Sequence, residues 1–117
     1  MSDDRIRQTY RLMTYNIGGG HKAFNSSRQA AARVVASVSP DVLALQEVVR
    51  IQNADGQWRD ELETIQASLD GPVSAFYGAT LTLREHMHPA KQAMAHAVFH
   101  DYLDWQQGNA LVSRWPF

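Results

Sequence analysis

Two polar residues stand where apolar runs end: Asn16 after Leu12-Met13-Thr14-Tyr15, and Gln46-Glu47 after Val42-Leu43-Ala44-Leu45. Both runs read as buried strands that deliver a polar side chain to a sheet edge, which is where α/β enzymes keep their chemistry. A carboxylate such as Glu47 is expensive to bury. It must be paired, solvated at the edge or bound to a cation, and the sequence leaves those three options open. The histidines offer a rival site. His86-x-His88 and His96-x-x-x-His100 bring four imidazoles into a short stretch, the second pair at i, i+4, a spacing that suits zinc. However, His96-Ala97-Val98-Phe99-His100 lacks the glutamate base of the zinc proteases, and five histidines in a chain of this size produce pairs by chance. A solvated or core-edge role is the simpler reading of them.

Elements must position these groups. Residues 9 to 17 alternate and are rich in β-branched and aromatic types, so they predict a strand, stopped by Gly18-Gly19-Gly20. Ser26 and Ser27 can cap a helix beginning near Arg28, with Ala31, Val34, Val35 and Val38 on its apolar face and Ser39-Pro40 ending it. Val42 to Val49 then completes a β–α–β unit. Asn53-Ala54-Asp55-Gly56 predicts a turn. A second helix follows with Trp58, Leu62, Ile65 and Leu69 as its stripe, and with Arg59, Asp60, Glu61 and Glu63 as a solvated face. Ala75 to Leu83 reads as a strand, residues 90 to 104 as a helix, and Gly108 to Val112 as a strand running into a turn. Arg114, in that polar turn, reads as solvated, and Asn109 as a brace for the strand end.

At 117 residues and 44% hydrophobic content the chain has room for one ordinary domain or part of one. Eleven basic residues oppose twelve acidic ones, so nothing suggests indiscriminate nucleic-acid binding, and phosphate recognition would have to be local. The absence of cysteine removes disulfides and thiolate metal sites and suits a reducing compartment. No apolar run is long enough for a signal segment or a membrane span, so a cytoplasmic location is the default expectation.

Three segments, in order, carry a resemblance: Leu12 to Ile17, Pro40 to Val48, and Gly108-Asn109-Ala110-Leu111-Val112-Ser113-Arg114-Trp115-Pro116. They resemble the first three landmarks of the endonuclease/exonuclease/phosphatase superfamily, the fold family of pancreatic deoxyribonuclease and the apurinic endonucleases. The resemblance implies an α/β (α+β) fold, the N-terminal half of a four-layer α/β/β/α sandwich with a mixed β-sheet and flanking helices. Residues 1–8 would be an N-terminal extension and 9–117 the N-terminal part of the domain. It further implies a divalent-metal-dependent hydrolase of phosphate esters, of phosphodiesterase, nuclease or phosphatase type. Glu47 would bind the catalytic cation, Mg2+ with Mn2+ as a substitute, and Asn16 would stand beside it as a metal and catalytic residue. The substrate would be nucleic acid, a phospholipid headgroup or a small nucleotide; oligomeric state is not implied.

The family's Asp-x-Asn strand and Ser-Asp-His motif have no match in these residues. The reading is therefore of a fragment without full activity alone, whose first sheet should expose the apolar face that a second sheet would cover. Gln106 and Gln107 stand where nuclease branches carry an aromatic hydroxyl, which leans away from a DNA-repair nuclease. The alternatives are a non-catalytic folded remnant or interaction module, and a histidine-bound zinc protein.

Overall fold

Five strands, among them the nearly continuous apolar run of Val42 to Leu45, build a single mixed sheet. The computed structural model describes residues 8–18, 24–71, 73–82, 88–89 and 104–117. The elements are β1 (Leu12–Asn16), α1 (Phe24–Val38), β2 (Val42–Gln52), β3 (Trp58–Asp60), α2 (Glu61–Ala67), β4 (Ser74–Thr82) and β5 (Asp104–Ser113). Strand order is β1-β2-β5-β4, with β3 paired to β2 beyond the end of β1. β1 runs parallel to β2, as a β–α–β crossover requires, and the remaining pairs are antiparallel.

The expected α+β class and mixed sheet are present. One face of the sheet meets the helices: Leu43, Leu45, Val48, Ala110 and Val112 form one buried cluster with Ala31, Ala32 and Val35 of α1 and Leu62 and Ile65 of α2. Each fully buried valine or leucine of that cluster contributes about 1.5–3 kcal/mol through the water it sheds. The opposite face is open. Leu12 is 74% exposed, Phe76 66% and Leu111 39%, so the residues that alternate with the core are apolar and solvent-facing. The apolar face anticipated from the resemblance is there. Among the described residues no helix is long and apolar enough to cross a membrane.

Several local expectations shift. Helix α1 begins at Phe24, so Ser26 and Ser27 lie inside it rather than capping it, and Val34 turns 42% exposed while Ala32 takes its place in the core. Trp58 is not helical. The turn at Asn53–Gly56 closes a β2–β3 hairpin, with Gly56 at φ +87° and its N–H donating to the Asn53 carbonyl at 2.9 Å. Register then pairs Trp58 with Gln52, and α2 starts only at Glu61. Asp104, expected to end a helix, opens β5. The rest of that expected helix, with His86, His96 and His100, lies outside the described residues.

The end of the sheet away from Glu47 is tied by Asp41. Its Oδ2 accepts from the Arg11 N–H at 2.7 Å and its Oδ1 pairs with Arg114 Nε at 3.0 Å, joining the start of β1 to the turn after β5. Arg114 also donates to Ser39 Oγ at 3.1 Å. It is a strut between elements, not a solvated turn residue.

Candidate functional site

Glu47 sits in a β-bulge. Pairing between β2 and β5 steps from Leu45↔Ala110 to Val48↔Gly108, so Gln46 and Glu47 together oppose the single residue Asn109. Glu47 takes φ +55°, the left-handed region in which a residue with a Cβ is strained and which bulges ordinarily fill with glycine. Strain of this kind, about 1–3 kcal/mol, persists where surrounding structure over-determines it, and it clusters at functional sites.

The two bulge residues behave differently. Gln46 is tied down, its Nε2 donating to Thr14 Oγ1 on β1 at 3.0 Å. The Glu47 carboxylate is half-buried and, among the described residues, has neither a hydrogen bond nor an ion pair.

Its neighbours are fixed by register. Asn16, the last residue of β1, pairs with Gln46, and Asn109 of β5 lies across from the bulge and pairs in turn with Gly78 of β4. One row of the sheet thus reads Asn16, Gln46-Glu47, Asn109, Gly78, with adjacent strands about 4.8 Å apart. Asn16 Oδ1 accepts from the Gly18 N–H at 3.0 Å, so it also ties the turn that ends its own strand. Asn109 is exposed in mid-strand beside the bulge, and its side chain has no hydrogen bond among the described residues.

Gly108 lets β5 pass. A Cβ there would lie 2.1 Å from the Gly78 carbonyl oxygen, closer than any atom can approach, so only glycine fits. Among the described residues no group of three histidines, aspartates or glutamates is gathered for a metal, and His88 is exposed. Among the described residues, the polar groups that register brings beside Glu47 are the neutral amides of Asn16, Gln46 and Asn109.

Sequence reasoning missed the supports of the bulge. Asp60 caps α2 by accepting the Leu62 N–H at 2.9 Å and pairs with Arg50 Nε at 3.1 Å, which sets Glu61 at the first position of the helix. Glu61 is fully buried, not part of a solvated face, and its Oε1 accepts the Val49 N–H at 3.1 Å. The Tyr77 hydroxyl donates to the Val48 carbonyl at 3.3 Å. Burial pushes the Tyr77 pKa up to about 12, against the opposing pull of the Arg50 guanidinium, so the phenol stays a donor across the ordinary pH range. That guanidinium lies 5.1 Å from the Trp58 ring centroid and 5.3 Å from that of Tyr77.

A family model described as "Endonuclease/Exonuclease/phosphatase family" matches residues 13–117. The chain belongs to that family. Among solved structures, an endonuclease/exonuclease/phosphatase family protein from Leptotrichia buccalis C-1013-b is similar to it, with 18% identity and a TM-score of 0.56 over 92% of this chain. That likeness speaks to the fold of this family member, which spans 38% of the length of the Leptotrichia structure. No curated protein matches it significantly. All three landmark segments of this endonuclease/exonuclease/phosphatase chain converge on the bulge: β1 ends beside it, β2 contains it, and β5 is the strand it opposes.

Proposed function

We propose that this chain carries the cation-binding wall of a phosphate-ester hydrolase, with Glu47 as the carboxylate ligand of Mg2+ or, in substitution, Mn2+. The observation that supports this best is a partly accessible carboxylate, without a partner among the described residues, held in a strained bulge of a family member. The donor set suits the ion. Magnesium takes one or two carboxylates and keeps several waters, and Glu47 with the amides of Asn16 and Asn109 offers one charge and two neutral groups.

When bound, a divalent cation polarises a phosphoryl oxygen and stabilises negative charge on the leaving group. The residues of this chain hold and orient. Glu47 supplies the compensating negative charge. Asn16, with one lone pair of Oδ1 committed to Gly18, keeps a second lone pair for a water and two N–H donors for a phosphate oxygen. Asn109 can donate from the other side of the bulge, and neutral donors of this kind stabilise developing charge without competing for the cation. The substrate class is a phosphate ester of nucleic acid, a lipid headgroup or a small nucleotide.

The test is Mn2+ affinity by electron paramagnetic resonance, together with Mg2+-dependent hydrolysis of bis(p-nitrophenyl) phosphate. Glu47→Gln should weaken Mn2+ binding by at least about tenfold and abolish cation-dependent hydrolysis. Unchanged Mn2+ affinity in that variant would falsify the reading. Binding without hydrolysis in the unaltered chain would favour the non-catalytic alternative.

A further inference from the structure

On the edge of β2 that faces β1 and β3 there is a gap in the ladder. β1 ends at Asn16 opposite Gln46, where the Ile17 N–H still donates to the Gln46 carbonyl at 3.1 Å. β3 resumes pairing only at Arg50, opposite Asp60. Residues 47 to 49 therefore run past neither neighbour, and this is the stretch that holds the left-handed Glu47. A buried strand cannot leave its backbone groups without partners at no cost. On this edge the Val49 N–H is the group in need, and Glu61 Oε1 takes it. The carbonyl of the same trans peptide, that of Val48, faces the opposite edge, where Val48 is in register with Gly108 of β5 and the Tyr77 hydroxyl of β4 donates to it.

We infer that Glu61 and Tyr77 are positioning residues for Glu47, clamping the two residues that follow it so that the bulge keeps its left-handed turn. The inference rests on the reading of Glu47 as the cation-binding carboxylate. Its physical logic is over-determination. Relaxing Glu47 to a negative φ would redirect β2 through the bulge and draw Val48 from the donor, and Val49 from the acceptor, that hold them. The loss of these hydrogen bonds opposes the relief of strain. Neither side chain needs to touch the ion. Glu61 is well suited to the task because its helix position is set independently by the Asp60 cap and the Arg50 pair.

Two readouts on the full chain test this. The first is the Glu47 φ, from the N–H to Hα coupling and local nuclear Overhauser contacts, with exchange protection of the Val49 amide beside it. The second is Mg2+ affinity from amide-shift titration with the metal alone. Tyr77→Phe, which keeps the ring and loses only the hydroxyl, and Glu61→Ala should each release Glu47 to negative φ in part of the population. Each should also weaken Mg2+ binding by about tenfold. Glu61→Gln, whose amide oxygen still accepts the Val49 N–H, should restore both. Ile65→Val, a core change of comparable stability cost, should move neither. If Glu47 keeps its positive φ in both Tyr77→Phe and Glu61→Ala, the inference is overturned whatever the metal data show. It is also overturned if φ relaxes while Mg2+ affinity holds. If Glu47→Gln leaves Mg2+ affinity unchanged, the cation reading fails instead, and the coupling data still decide whether the clamp exists.

Discussion

Glu47 shows how a single backbone angle changes the meaning of a side chain. A glutamate after an apolar run could have been a salt-bridged surface group. At φ +55°, half-buried and without a partner among the described residues, it occupies a backbone position that costs stability. This has a measurable consequence at the residue scale. Glu47→Gly should leave stability unchanged or raise it by up to about 1 kcal/mol, because glycine adopts the left-handed region freely while losing more chain entropy on folding. Glu47→Val should cost about 1–2 kcal/mol, since a β-branched residue is least tolerated there. Urea unfolding midpoints at equal slope check both. A large loss of stability in Glu47→Gly would mean that the carboxylate itself holds the fold.

At the scale of elements, the β4–β5 contact and the β2–β3–α2 corner decide where the bulge lies. β5 must pass Gly78 with its backbone nearly touching, and Gly108 is the residue that permits it. Gly108→Ala should therefore destabilise by about 2–3 kcal/mol or more, because the obstacle is backbone and cannot rotate away. A urea midpoint within experimental error of the unaltered chain would show that the strands can part at no cost. The sequence announced this passage as a Gly-Asn pair in a landmark segment, though not that the asparagine would face the bulge. It concealed the corner. Trp58, Leu62, Ile65 and Leu69 fall at helical spacing, yet register with Gln52 draws Trp58 into a hairpin strand where it stacks on Arg50.

The whole molecule is asymmetric about its sheet. Helices cover one face, and Leu12, Phe76 and Leu111 lie exposed on the other, where Leu12 also lines an open apolar depression with Tyr10, Val42 and Trp115. Side chains already in water contribute little to folding, so Leu12→Thr with Phe76→Thr should cost less than about 1 kcal/mol together. The same pair should reduce binding of the dye ANS and slow concentration-dependent aggregation, because the exposed patch is what drives both. A loss of several kcal/mol would show instead that this face is packed in solution.

The period-two alternation of β1, the nearly continuous apolar run of β2, the helix between them and the three ordered landmark segments were legible because they are local: each depends on residues near one another in sequence. They were enough to specify the family and the mixed sheet. What the sequence could not disclose depends on contacts between distant residues. That Glu47 lies in a bulge follows from a register of β2 against β5, some sixty positions away. That Glu61 is buried rather than solvated follows from a backbone gap between β1 and β3, which appears only once both strands have docked on β2. Local pattern chose the residues of this site; long-range hydrogen bonding decided how they are held.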